Sequence, residues 1–322
     1  MIKEKLLELF ESNKGVYFSG EEIAGRLGVS RAAVWKAVKG LRNEGYPIDA
    51  VTNKGYCLSE KTDILSPQGI RKYLKPEFCA LELHVLPSVS STNTLVREKA
   101  QEGFSEGYTV IANEQTGGRG RYGRSFFSPS GSGVYLSILL RPLGYSASQA
   151  ARITTMAAVA MCEAIDEVSE EKPQIKWVND LYLNGKKICG ILTEASFGLE
   201  SGLLEYAVLG IGLNVYQPSE GFPEEIQNKA GFLYQQPQDD LKNRLCAGFL
   251  NHFMNYYQSE DLTYVETYRS RNLALGRQVT TISGNERRNA LVCDIDDECH
   301  LVVKYDDGTT EHLSYGEIEI RF

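Results

Sequence analysis

The apolar residues of this 322-residue chain change their period at about residue 62, which constrains the fold more than any single motif. Before that point apolar positions recur every three or four residues, as on one face of a helix. After it, apolar runs of strand length alternate with helical stretches. One uniform architecture cannot satisfy both, so the chain reads as residues 1–62, 63–271 and 272–322, in keeping with about 150 residues per domain. At 42% hydrophobic and 24% charged it can bury a real core and is not a disordered chain.

In the first unit Ile2, Leu6, Leu9 and Phe10 give a helix that ends near Asn13-Lys14-Gly15. Ser19, followed by Glu21 and Glu22, opens a second whose stripe of Ile23, Ala24 and Leu27 stops at Gly28. Ser30 caps a third, with Val34, Ala37, Val38 and Leu41 at i, i+3, i+4, i+7. That stripe faces inward and leaves Ser30, Arg31, Ala32, Trp35, Lys36, Lys39 and Arg42 on or beside the outer face. Two short strands, Ile48–Thr52 and Tyr56–Leu58, flank a turn of Asn53, Lys54 and Gly55. Three helices and a hairpin read as a winged helix-turn-helix, with Asn53 and Lys54 at the wing tip. A small helical interaction domain is the plainer alternative.

The charge distribution favours the DNA reading for this unit alone. The chain carries a net −8, which argues against coating nucleic acid through a global field. Residues 1–62 are +2, whereas the other two units are −5 each, and residues 26–54 hold a local +4. No stretch approaches the ~20 apolar residues of a membrane span, and the first residues lack the pattern of a signal peptide. The expectation is a cytoplasmic protein without a membrane partner. Seven cysteines with no C-x-x-C and four scattered histidines predict reduced thiols and no structural zinc.

The second unit reads as mixed α/β, with strands at Glu82–Leu86, Tyr108–Ala112, Val134–Leu140, Ile175–Val178, Ile188–Thr193 and Tyr206–Leu213. Its helices fit Ser148–Val168, Asp239–Tyr257 and Asp261–Ser270. Gln115-Thr116-Gly117-Gly118-Arg119-Gly120-Arg121-Tyr122-Gly123-Arg124 holds four glycines and three arginines in ten residues, and nothing there can pack a core. Gly118, Gly120 and Gly123 satisfy G-x-G-x-x-G, but a strand follows instead of a helix, so the dinucleotide reading fails. No Walker lysine is present either. What remains is a mobile loop with three cationic forks, suited to closing over a phosphate or carboxylate, or else a flexible linker.

Two further clusters accompany it. Asn184-Gly185 is a hairpin turn that folds Lys187 back beside the end of the Lys176 strand, so that two cations meet Asp180. In a cleft, lysine neutralises charge on an attacking carboxylate and a transferring phosphate, while an Asn or Asp holds Mg²⁺ or a ribose. A surface hairpin with solubilising lysines is the plainer reading. Ser90-Ser91-Thr92-Asn93, at a helix start, caps that helix by default and equally suits a small polar ligand head.

Taken together, Ser91-Thr92-Asn93, Gln115 to Arg124, Lys176-Trp177-Val178-Asn179-Asp180, Lys187 with Gly190-Ile191-Leu192, and Gly210-Ile211-Gly212-Leu213-Asn214 resemble the biotin protein ligases, specifically the bifunctional type that is also the biotin operon repressor. With the N-terminal Ser30-Arg31-Ala32-Ala33 helix and a small C-terminal β domain, the resemblance covers nearly the whole chain. It implies that biotin and MgATP give biotinyl-5′-AMP and pyrophosphate, after which a lysine of biotin carboxyl carrier protein accepts the biotinyl group. It further implies that Ser91, Thr92, Asn93, Gln115 and Gly190 line the biotin site and that Arg119, Gly120 and Arg121 order over the ligand. Lys187 would act on the carboxylate and phosphate. Phe126, Lys176, Asn179, Asp180 and Asn214 would lie on the nucleotide side, with Mg²⁺ near Asp180. The adenylate would also serve as corepressor for a liganded homodimer on operator DNA. A non-catalytic biotin sensor and a lipoate ligase remain alternatives. Two positions depart from the pattern. Phe126 stands where a tryptophan is common and stacks more weakly on adenine, and Val178 removes the fixed φ of a proline before Asn179.

In the third unit Gly276–Thr280, Asn289–Asp294, Cys299–Lys304 and Thr309–Leu313, with Asp306-Asp307-Gly308 as a tight turn, read as a five-stranded SH3-like barrel. The acidic run Asp294–Glu298 lacks the glycine and terminal glutamate of a calcium loop and reads as a solvated turn. The whole is therefore an α/β (α+β) multidomain chain.

Overall fold

A computed structural model describes residues 1–198, 200–259, 262–283 and 286–320. The first unit folds as its capping signals dictate. Helices α1 (Ile2–Glu11), α2 (Gly20–Leu27) and α3 (Arg31–Asn43) are followed by the hairpin β1 (Ile48–Val51) and β2 (Gly55–Leu58). The Ser19 hydroxyl accepts the Glu22 N–H at 3.0 Å and the Ser30 hydroxyl accepts that of Ala33 at 3.2 Å. Each fills one of the donors that a helix start leaves open. Leu6, Phe10, Ile23, Val34, Val38, Leu41 and Leu58 are buried together as a separate small core. Gly55, at φ 100°, has the Phe18 carbonyl oxygen 2.0 Å from where a Cβ would stand, so the wing closes on the segment leading into α2 only with glycine there.

The second unit runs α4 (Pro67–Arg71), β3 (Glu82–Leu86), α5 (Thr92–Gln101), β4 (Tyr108–Ala112), β5 (Gly133–Leu140), α6 (Ala147–Asp166), β6 (Gln174–Lys176), β7 (Asp180–Leu183), β8 (Lys186–Phe197), β9 (Leu204–Asn214), α7 (Leu241–Ser259) and α8 (Tyr264–Ser270). Seven strands form one sheet in the order β3-β4-β5-β9-β8-β7-β6, parallel only between β3 and β4. Strands β4 and β5 are buried at every residue because both faces of the sheet are covered. Val96 and Ala100 of α5 pack on one face with Val110, Leu139 and Val208. The alanine-rich α6 and the aromatic α7 cover the other. The sequence reading missed β7, which is only four residues long. It also began the α7 helix two residues early: Asp240 sits at φ 60°, outside the helix. Asp261, where the next helix was expected to start, lies outside the described residues.

The third unit is a five-stranded antiparallel sheet of β10 (Gln278–Ser283), β11 (Glu286–Ile295), β12 (Leu301–Tyr305), β13 (Thr310–Leu313) and β14 (Glu317–Ile320) in the order β13-β12-β11-β10-β14. Sequence reading named four of these strands and missed β14. This sheet shares a continuous core with the second unit: Val279, Val292 and Val303 belong to the same apolar cluster as Ile175 and Trp177, and the Trp177 indole donates to the Cys299 carbonyl at 3.1 Å.

The first unit is fastened to the second by buried charge. Lys14 bridges Glu11 and Asp240 at 3.2 and 2.9 Å, Lys72 lies 3.2 Å from Glu11 and also pairs with Asp240, and the Tyr73 hydroxyl donates to Asp240 at 2.6 Å. Burial alone would raise the Asp240 pKa. Hydrogen bonds from Lys72, Tyr73, Asn243 and Lys14 outweigh it and hold the carboxyl at about 2. Among the described residues no helix is long and apolar enough to cross a membrane.

Candidate functional site

The start of α5 builds one end of a cleft. Ser91 is its N-cap, accepting the Thr94 N–H at 3.4 Å, so this residue performs the default role as well as lining the cleft. The next two side chains point under the sheet. The Ser137 hydroxyl on β5 lies 2.7 Å from the Thr92 hydroxyl and 2.6 Å from the Asn93 amide oxygen. Gln115 accepts both the Thr92 N–H at 2.9 Å and the Thr92 hydroxyl at 3.1 Å, and donates to Ser128 at 3.0 Å. Asn93 fits because Gly210 on β9 has no side chain: a Cβ there would stand 2.0 Å from its amide oxygen. These are short neutral donors and acceptors in fixed orientation, the kind of lining that suits a compact polar ring.

The floor is made by a pair of glycines on neighbouring strands. Gly190 of β8 and Gly212 of β9 are register partners, and the Phe126 ring lies against both. A Cβ would come within 3.1 Å of that ring at Gly190 and 2.5 Å at Gly212. Phe126 thereby stands between two cavities and lines each. The smaller, of about 130 Å³, holds Ser91, Thr92, Asn93, Gln115, Arg119 and Gly120; the larger, of about 700 Å³, holds Lys176, Trp177, Tyr182 and Asn214. Arg121, Arg124, Asn179, Asp180, Lys187 and Glu317 line both.

At that junction the Lys187 ammonium lies 2.6 Å from Asp180. Asn184 and Gly185 turn the β7–β8 hairpin with φ of 51° and 75°, as the dipeptide predicts. Lys187 does not come to lie beside Lys176, however. Strand β7 intervenes, pairing Asp180 with Lys176 on one side and Gly190 on the other. Lys176 instead sits 5.6 Å from the Tyr182 ring centroid, and burial, with a smaller repulsion from Lys187 across β7 and against the pull of Asp180, keeps its pKa below the usual lysine range. Asn179 is fixed from both ends: its amide donates to the Ile191 carbonyl at 2.7 Å and accepts from Arg121 at 3.1 Å. The Trp177–Val178 peptide before it is cis. Asn214 is buried, donating to the Gly231 carbonyl at 2.9 Å.

The arginine loop differs from the expectation of three free forks. Its backbone closes on itself, with the Gly120 N–H donating to the Arg124 carbonyl at 2.7 Å. Each guanidinium already has a protein partner. Arg119 lies 3.4 Å from Glu194, Arg121 reaches Asn179 and the Gly316 carbonyl at 3.2 Å, and Arg124 binds Glu317 through two bonds of 2.7 and 2.9 Å. The last two contacts come from the third unit, which thus walls the junction. Sequence reading missed Ser137, Glu194 and Glu317 as site residues and named Gly210 only within a motif, without a role. For Ser137 the available signal was a lone serine inside the apolar run Val134–Leu140.

On the first unit, Arg31, Ala32, Trp35, Lys36 and Lys39 of α3 are exposed, with Lys39 over the Trp35 ring at 5.2 Å. Ser30 caps the helix beside them. Arg42 points elsewhere and grips the Ile48 carbonyl at 2.8 Å, holding the base of the wing. Asn53 turns the wing with φ 66°, and Lys54 lies 5.7 Å from the Tyr17 ring centroid.

Three family descriptions match the chain in order: an HTH domain over residues 3–57, the Biotin/lipoate A/B protein ligase family over 85–214, and the Biotin protein ligase C terminal domain over 274–321. The chain is 35% identical to the bifunctional ligase/repressor BirA of Bacillus subtilis, over 99% of this chain and 98% of the relative. To that of Escherichia coli it is 30% identical, over 98% and 96%. Among solved structures, the biotin protein ligase of Aquifex aeolicus in complex with biotin and ATP superposes with a TM-score of 0.62 at 25% identity, covering 74% of this chain and 98% of that one.

Proposed function

The chain belongs to the family of bifunctional biotin protein ligases and repressors, and from that premise we propose how its residues divide the work. It is a biotin protein ligase that forms biotinyl-5′-AMP and passes biotin to a lysine of the carboxyl carrier protein, and a DNA-binding repressor through its first unit. One observation carries the assignment of roles: Lys187 and Asp180 stand where a narrow polar cleft meets a larger cavity, with Phe126 as the partition.

In this reading Ser91, Thr92, Asn93, Gln115 and Gly190 hold the biotin ring and point its carboxylate at the junction. A carboxylate oxygen attacks the α-phosphorus of ATP, the bond to pyrophosphate breaks, and an acyl phosphate remains. Lys187 stabilises the charge that builds on both reactants, with Arg119 and Arg121 beside it. Phe126 stacks on the adenine, while Lys176, Asn179 and Asn214 contact the nucleotide. Asp180, which lines both cavities, would hold a magnesium ion, and that ion would supply positive charge to the phosphates, one carboxylate with phosphate oxygens being a common magnesium set. Among the described residues no cluster of three ligating side chains supplies an all-protein metal cage. In the second step the acceptor lysine attacks the acyl carbon and AMP leaves.

Pyrophosphate release from MgATP is expected with biotin and not with lipoate; release with lipoate alone would make this a lipoate ligase, and binding of biotin without release would make it a sensor. We place operator contacts on Ser30, Arg31, Ala32, Trp35, Lys36, Lys39, Asn53 and Lys54, and a homodimer on the liganded form. Leu143, 97% exposed, and Leu203, also exposed, belong to segments joined where the Leu204 N–H donates to the Tyr145 carbonyl at 2.8 Å, and these apolar side chains support such an interface. Arg31→Ala or Lys36→Ala should weaken DNA binding about tenfold, and loss of a phosphate contact would lower its salt dependence by about one unit of slope, with ligase turnover unchanged. Equal loss of turnover in both variants would contradict this separation.

A further inference from the structure

Glu194 handles neither biotin nor ATP in the scheme above, yet it touches two residues that line the smaller cavity, Asn93 and Arg119. One carboxylate oxygen accepts the Asn93 amide at 2.9 Å; the other lies 3.2 Å from Arg97 and 3.4 Å from Arg119. A carboxylate offers only acceptors, so Asn93 must turn its NH₂ to Glu194 and its oxygen to Ser137. The same group gives the first arginine of the loop a fixed point on β8. The Glu194 side chain is 24% exposed and the Arg119 side chain 45%, so the pair is partly withdrawn from water.

We propose that Glu194 is a positioning residue that fastens the arginine loop over the occupied pocket, anchoring Arg119 to the strand that also orients Asn93, and so slows escape of the bound intermediate. This rests on the ligase reading. Arg97 shares the same oxygen and competes with Arg119, which makes the anchor adjustable: removing Arg97 leaves the carboxylate to the loop.

The test is to load the full-length protein with biotin and MgATP, remove free nucleotide on a desalting column, and follow release of biotinyl-5′-AMP over time. The KM for biotin is measured in parallel by pyrophosphate release. Glu194→Gln should release the intermediate about fivefold faster while the KM for biotin stays within about twofold, because the glutamine oxygen still accepts from Asn93. Arg119→Gln, which also loses its own contact with the ligand, should leak at least as fast, and the double variant no faster than Arg119→Gln alone. Arg97→Ala should release no faster than wild type, because it frees the shared oxygen for Arg119. Wild-type release from Glu194→Gln or Arg119→Gln, additive leakage in the double variant, or a raised KM without faster release would each overturn the proposal. Absence of biotin-dependent pyrophosphate release from the wild-type protein would instead overturn the ligase reading beneath it.

Discussion

Lys187→Met is expected to slow biotin-dependent pyrophosphate release by about a thousandfold while biotin affinity falls only a few-fold. Methionine fills the volume of the lysine stem, so the change removes a charge and little packing. That charge is aimed where negative charge accumulates between two anionic reactants, the kind of interaction whose loss costs about 10²–10³ in rate. The loss should reach the upper end because the one ammonium stands between both reactants and also pairs with Asp180 at 2.6 Å. Lys176 cannot substitute. It lies across β7, over the Tyr182 ring. Single-turnover assays at saturating biotin and MgATP decide the matter, with thermal melting to check the fold. A rate within tenfold of wild type would remove Lys187 from the chemistry.

Gly210→Ala should raise the dissociation constant for biotin about thirtyfold and leave ATP affinity nearly unchanged. The new Cβ would stand 2.0 Å from the Asn93 amide oxygen, and Asn93 is buried and held by both Ser137 and Glu194, so it must leave its hydrogen bonds to make room. Stranding a buried polar group costs about 1–3 kcal/mol, and thirtyfold corresponds to about 2. Gly212→Ala, two residues along the same strand, should do the reverse. Its Cβ would meet the Phe126 ring at 2.5 Å and displace the side chain proposed to stack on adenine, so ATP affinity should fall while biotin affinity holds. Calorimetric titration of each ligand into each variant reads the pattern directly. If both substitutions weakened the same ligand, the partition drawn at Phe126 would be wrong.

The sequence by itself determined what depends on near neighbours in the chain. The caps at Ser19, Ser30 and Ser91, the apolar stripe of α3 and the Asn184-Gly185 turn are all short-range matters of backbone valence, side-chain period and permitted φ, and each stands as read. Motif order also led to the cleft, since the polar cluster, the arginine loop and the Lys187 hairpin do converge. The tertiary structure alone decided who meets whom. Ser137 reaches Asn93 across 44 residues and Arg124 reaches Glu317 across 193, while Lys14 and Asp240 are joined across 226. Those meetings depend on strand register, and a strand shifted by one residue turns every side chain to the other face of the sheet. Gly210 shows the limit most plainly. In the sequence it belongs to a glycine-containing motif with no stated role, and only the register of β9 beside β5 brings it under Asn93, where a single methyl group would not fit.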